Sequence, residues 1–534
     1  MPIEANGESR QKADLVSRDF LSVTSLTVML GDLTEEERLL DRILGEFCSQ
    51  ETYQQQYGKG RYREGATPLG LRALLAIVAY GKYRRVHSSR HLAALARESM
   101  VCRYLSGNVV PSHTAINHFI KNSSEILEAF FSYSVQIACE NGMVSFRNVN
   151  IDGTKANANG SSNKGTRLRE LIDRNERAKQ AIQEYLRKVL ENDLREDADE
   201  TERNVYRSII DEAGETIEAL EKKIQKLQTE LDEAKAGGTE KLCFNDPGAR
   251  VMRSGHSKAV QGSQNIQSAM DADFNIVVAV DSTSEVNDIH QLHGMTSLSA
   301  AEAERNGMEL KEVTADKGYG NIDEITEVES GLHVKCNVDI QSYPKEWLLE
   351  NSQIIADPES PDKKAPRVIC PGKQEMTTSG RLHEAKRMTF WRYRISLKKC
   401  EGCPFSGVCL KKKETEDKAE DKAKKKQEGY RELCVNKNWY NWKVYEKKLK
   451  EDPEMRQKIG KRKGHVEGCF AYLKQELAYR GLPRSGSKQG TVECKMIFSL
   501  YNIKRVINYT RQRYGSLVGI TVSRPSEKLL QTSF

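Results

Sequence analysis

The chain has 534 residues, enough for several domains, with 83 Lys and Arg against 76 Asp and Glu and a formal charge of +7. So mild a balance does not by itself argue for a polyanionic partner, yet nine Lys or Arg stand between Arg456 and Lys488 against two acids, Glu467 and Glu476. The N-terminal MPIEANGESRQKAD has no apolar signal region, no stretch is apolar enough to span a bilayer, and the twelve cysteines have no regular spacing; a membrane protein and a disulfide-framed secreted protein are both disfavoured, and a reducing cytoplasm is expected.

Residues 1–33 read as a disordered tail and 34–140 as a helical domain. LTEEERLLDRILGEF carries a Thr34/Glu37 capping pattern, and TPLGLRALLAIVAYGKY starts with Thr67 before Pro68. Short helices follow, one opening at Ser112, His113, Thr114 and Asn117. This suits a helix-turn-helix DNA reader, and it equally suits an all-α scaffold that touches no DNA.

From 141 to 340 the pattern changes to strands. VSFRNVNID (144–152) alternates and predicts a strand ending at Asp152. A hairpin around 264–282, a helix from Asp288, a strand ending at Asp316, a short helix and the strand HVKCNVDI come next. A meander followed by alternation predicts an α/β fold with an RNase H-like mixed sheet. Heptads at 166–235, Leu168 to Val189 and then Ile217 to Ala234, predict an antiparallel coiled-coil hairpin inserted in this core. A second insertion, 341–450, holds the strand-like WRYRISL, a group of cysteines and a Lys/Glu run; 451–515 reads as the closing helices and 516–534 as a tail.

Asp152 and Asp316 each end a predicted strand, and Glu467 lies on the helix KRKGHVEGCFAYLKQEL. Three such carboxylates fit phosphodiester chemistry, in which two divalent ions are clamped by oxygen ligands. Taken singly, a strand-end Asp is more often a turn or cap residue. On the helix, Lys463, Glu467 and Lys474 share one face, with Val466, Phe470, Leu473 and Leu477 forming a stripe to bury.

These segments resemble the DDE transposases of bacterial insertion sequences, in the group with a Tyr-x2-Arg-x3-Glu-x6-Lys signature. Glu467 and Lys474 match its last two positions, whereas Lys463 replaces the Arg and Gly460 the Tyr. NVNIDGTKANANG, VTADKGYGN, FNDPGARVM, RYLSGNVVPSHTAINHF and RGLPRSGSKQGTVECKMIFSLYNIKRV resemble other family segments in the same order, over about 40–510. The resemblance implies catalytic and Mg²⁺- or Mn²⁺-binding roles for Asp152, Asp316 and Glu467. DNA contacts are expected from Lys463, Lys474, Arg462, His113, Thr114 and Asn117. It further implies cleavage at element ends, 3′-OH joining to target DNA, and a homodimer in a synaptic complex near the bacterial nucleoid. The rival reading is a silent, transposase-derived DNA-binding or regulatory protein.

Cys400, Cys403 and Cys409 form C-x2-C-x5-C, with Cys370 upstream. Four thiolates suit a tetrahedral Zn²⁺, a set the resemblance carries to these residues; Cys434 is a substitute ligand, and the alternative is reduced, unligated cysteines.

Overall fold

The computed structural model describes residues 33–50, 69–158, 165–193, 200–237, 241–243, 246–253, 260–340, 346–357, 363–385, 388–410, 429–475, 481–482 and 486–532. The tail at 1–32, the Thr67–Pro68 helix start, most of the Lys/Glu run (411–428) and Leu477 lie outside them.

Six helices come first: α1 (Glu35–Cys48), α2 (Leu71–Tyr83), α3 (Ser89–Glu98), α4 (Met100–Leu105), α5 (His113–Asn122) and α6 (Ser124–Glu140). Hydroxyl caps set four of their starts. Thr34 and Glu37 form the expected reciprocal box, and Ser88, Ser99 and Ser112 accept from backbone N–H groups one turn on. The boundary expected at 140 is not a break in packing. Phe47 meets the Phe130 ring edge-on at 5.2 Å, and one apolar cluster runs from these helices through the sheet to the last long helix.

The sheet region contains β1 (Val149–Asn157), β2 (Gly165–Arg167), α7 (Leu168–Asp193), α8 (Glu200–Gly237), β3 (Lys241–Cys243), β4 (Asp246–Arg253), β5 (Val260–Asp271), β6 (Val277–Thr283), α9 (Leu292–Arg305), β7 (Glu312–Ala315), α10 (Ile322–Glu327) and β8 (Lys335–Val338). The sheet is mixed. β5 pairs antiparallel with β6, β1 and β4, whereas β1–β7 and β7–β8 are parallel. The first strand differs from expectation, starting at Val149 and running five residues past Asp152. Ser145 and Phe146 give their N–H groups to the Asp271 carboxylate (2.9 and 3.1 Å) instead of to a neighbouring strand, while β5 offers partners as far as Asn157.

α7 and α8 lie side by side and run in opposite directions, since Ile172 packs with Ile224 and Leu227 while Lys179 reaches Glu221 at 2.5 Å. The β2–β3 pair joins their base.

After β8 come α11 (Trp347–Asn351), β9 (Gln353–Ile355), β10 (Arg367–Ile369), β11 (Glu375–Ala385), β12 (Met388–Ser396), α12 (Ser406–Cys409) and β13 (Tyr430–Asn436). Their five strands form a second sheet in the order β13-β12-β11-β10-β9, with its own core around Trp391, Tyr393, Val368 and Val435. The insertion is therefore a small β unit, and it closes before 450. The next helix, α13 (Trp439–Glu451), buries Trp442 and Tyr445 in the main core, where the Tyr445 hydroxyl accepts from Val338 N–H at 3.0 Å. Finally come α14 (Pro453–Gln475), α15 (Ser487–Tyr514) and α16 (Glu527–Thr532). The expected tail is docked, with Leu517, Ile520 and Leu529 buried and Ser523 O accepting from the Tyr133 hydroxyl at 2.5 Å. No helix among the described residues is long and apolar enough to cross a membrane.

Lys82 of α2 and Glu493 of α15 form an ion pair at 2.5 Å, with both side chains almost fully buried. Removing one partner of such a pair leaves an uncompensated charge. Lys82→Ala should therefore cost about 3–5 kcal/mol in chemical denaturation; a loss under about 1 kcal/mol would contradict this placement.

Candidate active site

The parallel pairing of β1 and β7 stops at Asn150–Thr314. Asp152 and Asp316 each stand two residues beyond, so both reach the same rim of the sheet. Each carboxylate is held by the backbone that follows it: Asp152 Oδ1 accepts from Gly153 N–H, and Asp316 Oδ1 from Gly318 N–H, both at 2.8 Å. Close approach explains both glycines. A Cβ at Gly153 would lie 2.7 Å from Gln267 Nε2, and one at Gly318 would lie 2.8 Å from Asp316 Oδ1.

The two aspartates share one cation. Arg462 of α14 places Nη1 3.0 Å from Asp152 Oδ2 and Nη2 3.7 Å from Asp316 Oδ2. Its side chain is only 9% exposed, and neither Nε nor Nη1 has an aligned hydrogen-bond acceptor among the described residues. The guanidinium is thus held by charge more than by directed bonds. Burial raises the Asp152 carboxyl above its ordinary range, Arg462 opposes that, and the Asp316 charge adds to it.

The placement of Arg462 follows from how α14 is seated. Asp452 caps the helix by accepting from Met455 N–H at 3.0 Å, just before Pro453. Met455, Val466, Cys469 and Phe470 are buried, and Lys458 reaches Glu312 at the start of β7 at 2.7 Å. Arg462 shares that inward face.

Glu467 does not. Five residues along a helix is about 140°, and with Arg462 turned to the aspartates the Glu467 side chain is 67% exposed, 3.8 Å from Lys463. The expected burial of Val466 and Phe470 is present, whereas the side chains of Leu473 and Lys474 lie outside the described residues. His113, Thr114 and Asn117 are exposed on the first turns of α5.

A third carboxylate, missed in the sequence, belongs to this rim. Asp288 was expected to open a helix, but α9 starts at Leu292 and Asp288 lies in the preceding loop. Its Oδ1 accepts from Asn265 Nδ2 at 2.6 Å and Gln267 Nε2 at 2.7 Å. Gln267 in turn accepts from the hydroxyl of fully buried Tyr319. Burial pushes that phenol well above its usual range, and the charges of Asp288, Asp152 and Asp316 push it further. Nothing in a lone Asp within SEVNDIHQL signals this contact.

The cysteines gather in the second sheet. Cys370, Cys400, Cys403 and Cys409 line one pocket with Trp347 and Arg431. Gly372 packs where a Cβ would meet Cys403 Sγ at 2.9 Å and Cys370 Sγ at 3.7 Å. Burial raises the Cys400 thiol, and the other three cysteines add to the shift. Cys434 is exposed on β13 and does not line the pocket. Neither this group nor the acidic rim is closed up as a cation cage: no three His, Cys, Asp or Glu side chains among the described residues stand in a metal-holding arrangement.

Two family models match the chain, a Transposase DDE domain over residues 369–507 and a Transposase domain (DUF772) over residues 30–122. The first span holds the four pocket cysteines, Arg462 and Glu467; the second holds α1–α5. Asp152, Asp288 and Asp316 fall between the two. No curated protein and no solved structure matches the chain.

Gly153→Ala should force apart Gln267 and Asp288, at a cost of about 1–3 kcal/mol for overpacking. Thermal denaturation measures this, and an unchanged melting temperature would mean that the rim tolerates a Cβ there.

Proposed function

Given that the chain is a DDE transposase of insertion-sequence type, we propose that it binds the ends of its element, cleaves the DNA there and joins the freed 3′-OH to target DNA. The observation that carries this reading is the convergence of Asp152 and Asp316 on one cation at the rim of a mixed sheet. The strand order β6-β5-β1-β7-β8 supports an RNase H-like catalytic core. The rival silent protein is not favoured, because Asp152 and Asp316 stand together at the sheet rim.

The residues present suit a divalent cation in kind, with hard carboxylate oxygens from two strands already gathered round one positive group. Asp152 and Asp316 would hold Mg²⁺ or Mn²⁺, and Glu467 on α14 is the third expected ligand. When bound, such ions activate the attacking oxygen and stabilise the leaving one. The protein's own share is positioning. Gly153 and Gly318 N–H groups fix the carboxylates, and Arg462 offsets their repulsion. Lys463 and Lys474 hold flanking phosphates as point charges. The helices around His113, Thr114 and Asn117 read the element ends, and a homodimer pairs two ends in a synaptic complex at the bacterial nucleoid. The outer face of the α7–α8 hairpin, read as a coiled coil, serves that assembly.

The donor set of Cys370, Cys400, Cys403 and Cys409, four soft sulfurs lining one pocket, suits Zn²⁺ in kind. Its role is structural, bracing the small sheet.

Asp152→Ala should lower divalent-dependent cleavage of DNA carrying the element's own ends by about a thousandfold or more, leaving end binding nearly intact because binding rests on cationic contacts. Cleavage near the parent rate would refute the assignment. Separately, purified protein should carry about one zinc per chain, lost in Cys400→Ser or Cys403→Ser; metal analysis finding none, in protein made without chelators, favours unligated thiols.

A further inference from the structure

α14 carries two groups that cannot face the aspartate rim together. Arg462 and Glu467 are five residues apart, which on a helix is a rotation of about 140° and a rise of about 7.5 Å. As the helix is seated, Arg462 has the rim: its side chain is 9% exposed and ion-paired to both Asp152 and Asp316. Glu467 is left in solvent with Lys463 at 3.8 Å, their side chains 67% and 74% exposed. An ion pair so exposed holds little. What keeps Glu467 outward is therefore the inward grip on Arg462.

The two halves of α14 are held unequally. The first is capped by Asp452, buries Met455 and is tied to Glu312 through Lys458. The second buries Val466 and Cys469 and places His465 Nδ1 2.9 Å from Asn275 Oδ1. Its charged anchor is imperfect, because Arg462 Nε and Nη1 lack aligned acceptors among the described residues. The helix is also weakened on either side of Glu467, at Gly464 and Gly468, where a Cβ would meet no described atom within 4 Å. Alanine would fit both places and favours a helix over glycine, so packing within the chain does not account for either residue.

The outward side of the same helix is basic. Arg456, Lys461 and Lys463 are exposed there beside Gly460 and Gly464. Such a face attracts a polyanion.

We propose that Arg462 is a latch: its ion pairs with Asp152 and Asp316 hold the second half of α14 with Glu467 outward, and DNA bound along Arg456, Lys461 and Lys463 releases it so that Glu467 turns to the rim. The proposal rests on the reading of Glu467 as the partner of Asp152 and Asp316. Release gives up the His465 contact and the burial of Val466 and Cys469, and phosphate contacts along the basic face offset that loss. Arg462 is in this sense a positioning residue, and the three acids come together only on DNA.

The test is a distance measurement by pulsed electron paramagnetic resonance on the full chain, with spin-labelled unnatural amino acids at the exposed positions Arg147 and Ala471, which spares the cysteines. The parent alone should give one narrow distance. Saturation with duplex DNA carrying the element's own ends should add a second, displaced by about 5 Å or more, and Arg462→Gln should populate a second distance without DNA. Gly464→Ala/Gly468→Ala should raise the melting temperature by about 1–2 °C per site and suppress the DNA-induced distance, which loss of a merely structural contact does not do. If gel mobility shows the ends bound while the parent's distance is unchanged, the latch is refuted and the reading of the protein as an end-binding transposase stands. An Arg462→Gln distance identical to the parent's also overturns the proposal. If the ends do not bind at all, that reading falls and the latch with it. Should Arg462→Gln not fold, Arg462→Lys, which keeps one charge and loses the fork, takes its place; failure of both to fold makes the role structural and overturns the proposal.

Discussion

Two carboxylates brought to one sheet rim repel each other, and that repulsion is the constraint around which this molecule is arranged. At about 4 Å and an effective dielectric near 20, like charges cost about 4 kcal/mol. The folded chain meets this cost with Arg462, buried and ion-paired to both Asp152 and Asp316. Much else follows from putting a guanidinium there. α14 has to be seated firmly, and it is: its first turn is capped by Asp452, Lys458 ties it to β7, and Met455, Val466 and Cys469 bury beneath it. The same rotation that buries Arg462 leaves Glu467 in solvent.

Beneath the rim, polar groups are satisfied in a chain. Tyr319 donates to Gln267, Gln267 donates to Asp288, and Asn265 donates to the same oxygen. All but Asp288 are buried to within 1%. Buried polar networks that are fully connected rigidify a structure, and those left half-satisfied are costly. This one fixes the loop before α9 against β5, beside Gly153 and Gly318, where an added Cβ would crowd the rim.

The rest of the architecture serves this rim at a distance. The N-terminal helices are cemented to the last long helix by the buried Lys82–Glu493 pair and a continuous apolar core, so an exposed α5 is carried on the same body as the acids. The cysteine sheet, in contrast, has a core of its own and hangs between β8 and α13. The α7–α8 hairpin likewise has, among the described residues, a small apolar seam, and a short strand pair at its base.

Local chemistry made a good part of this legible. The Thr34/Glu37 box, the helix opening at Ser112 and the β5–β6 hairpin are each specified by residues close in sequence, through capping bonds or apolar periodicity, and they stand as the pattern implied. Aspartates were identified at 152 and 316 because strand-end acids stand out against an alternating apolar background. Where long-range pairing competed, the pattern was insufficient. Residues 144–148 alternate as a strand does, yet Asp271, more than a hundred residues away, takes their N–H groups and delays β1 to Val149. A cap-like Asp288 became a rim carboxylate only because Asn265 and Gln267 on β5 were brought beneath it. On α14, periodicity put Lys463 and Glu467 on one face, but which face turned inward was decided by burial of Met455 and Val466 and by the pull of two aspartates on Arg462. Sequence specifies which residues share a face; only the packed structure, by weighing burial against charge, decides where that face points.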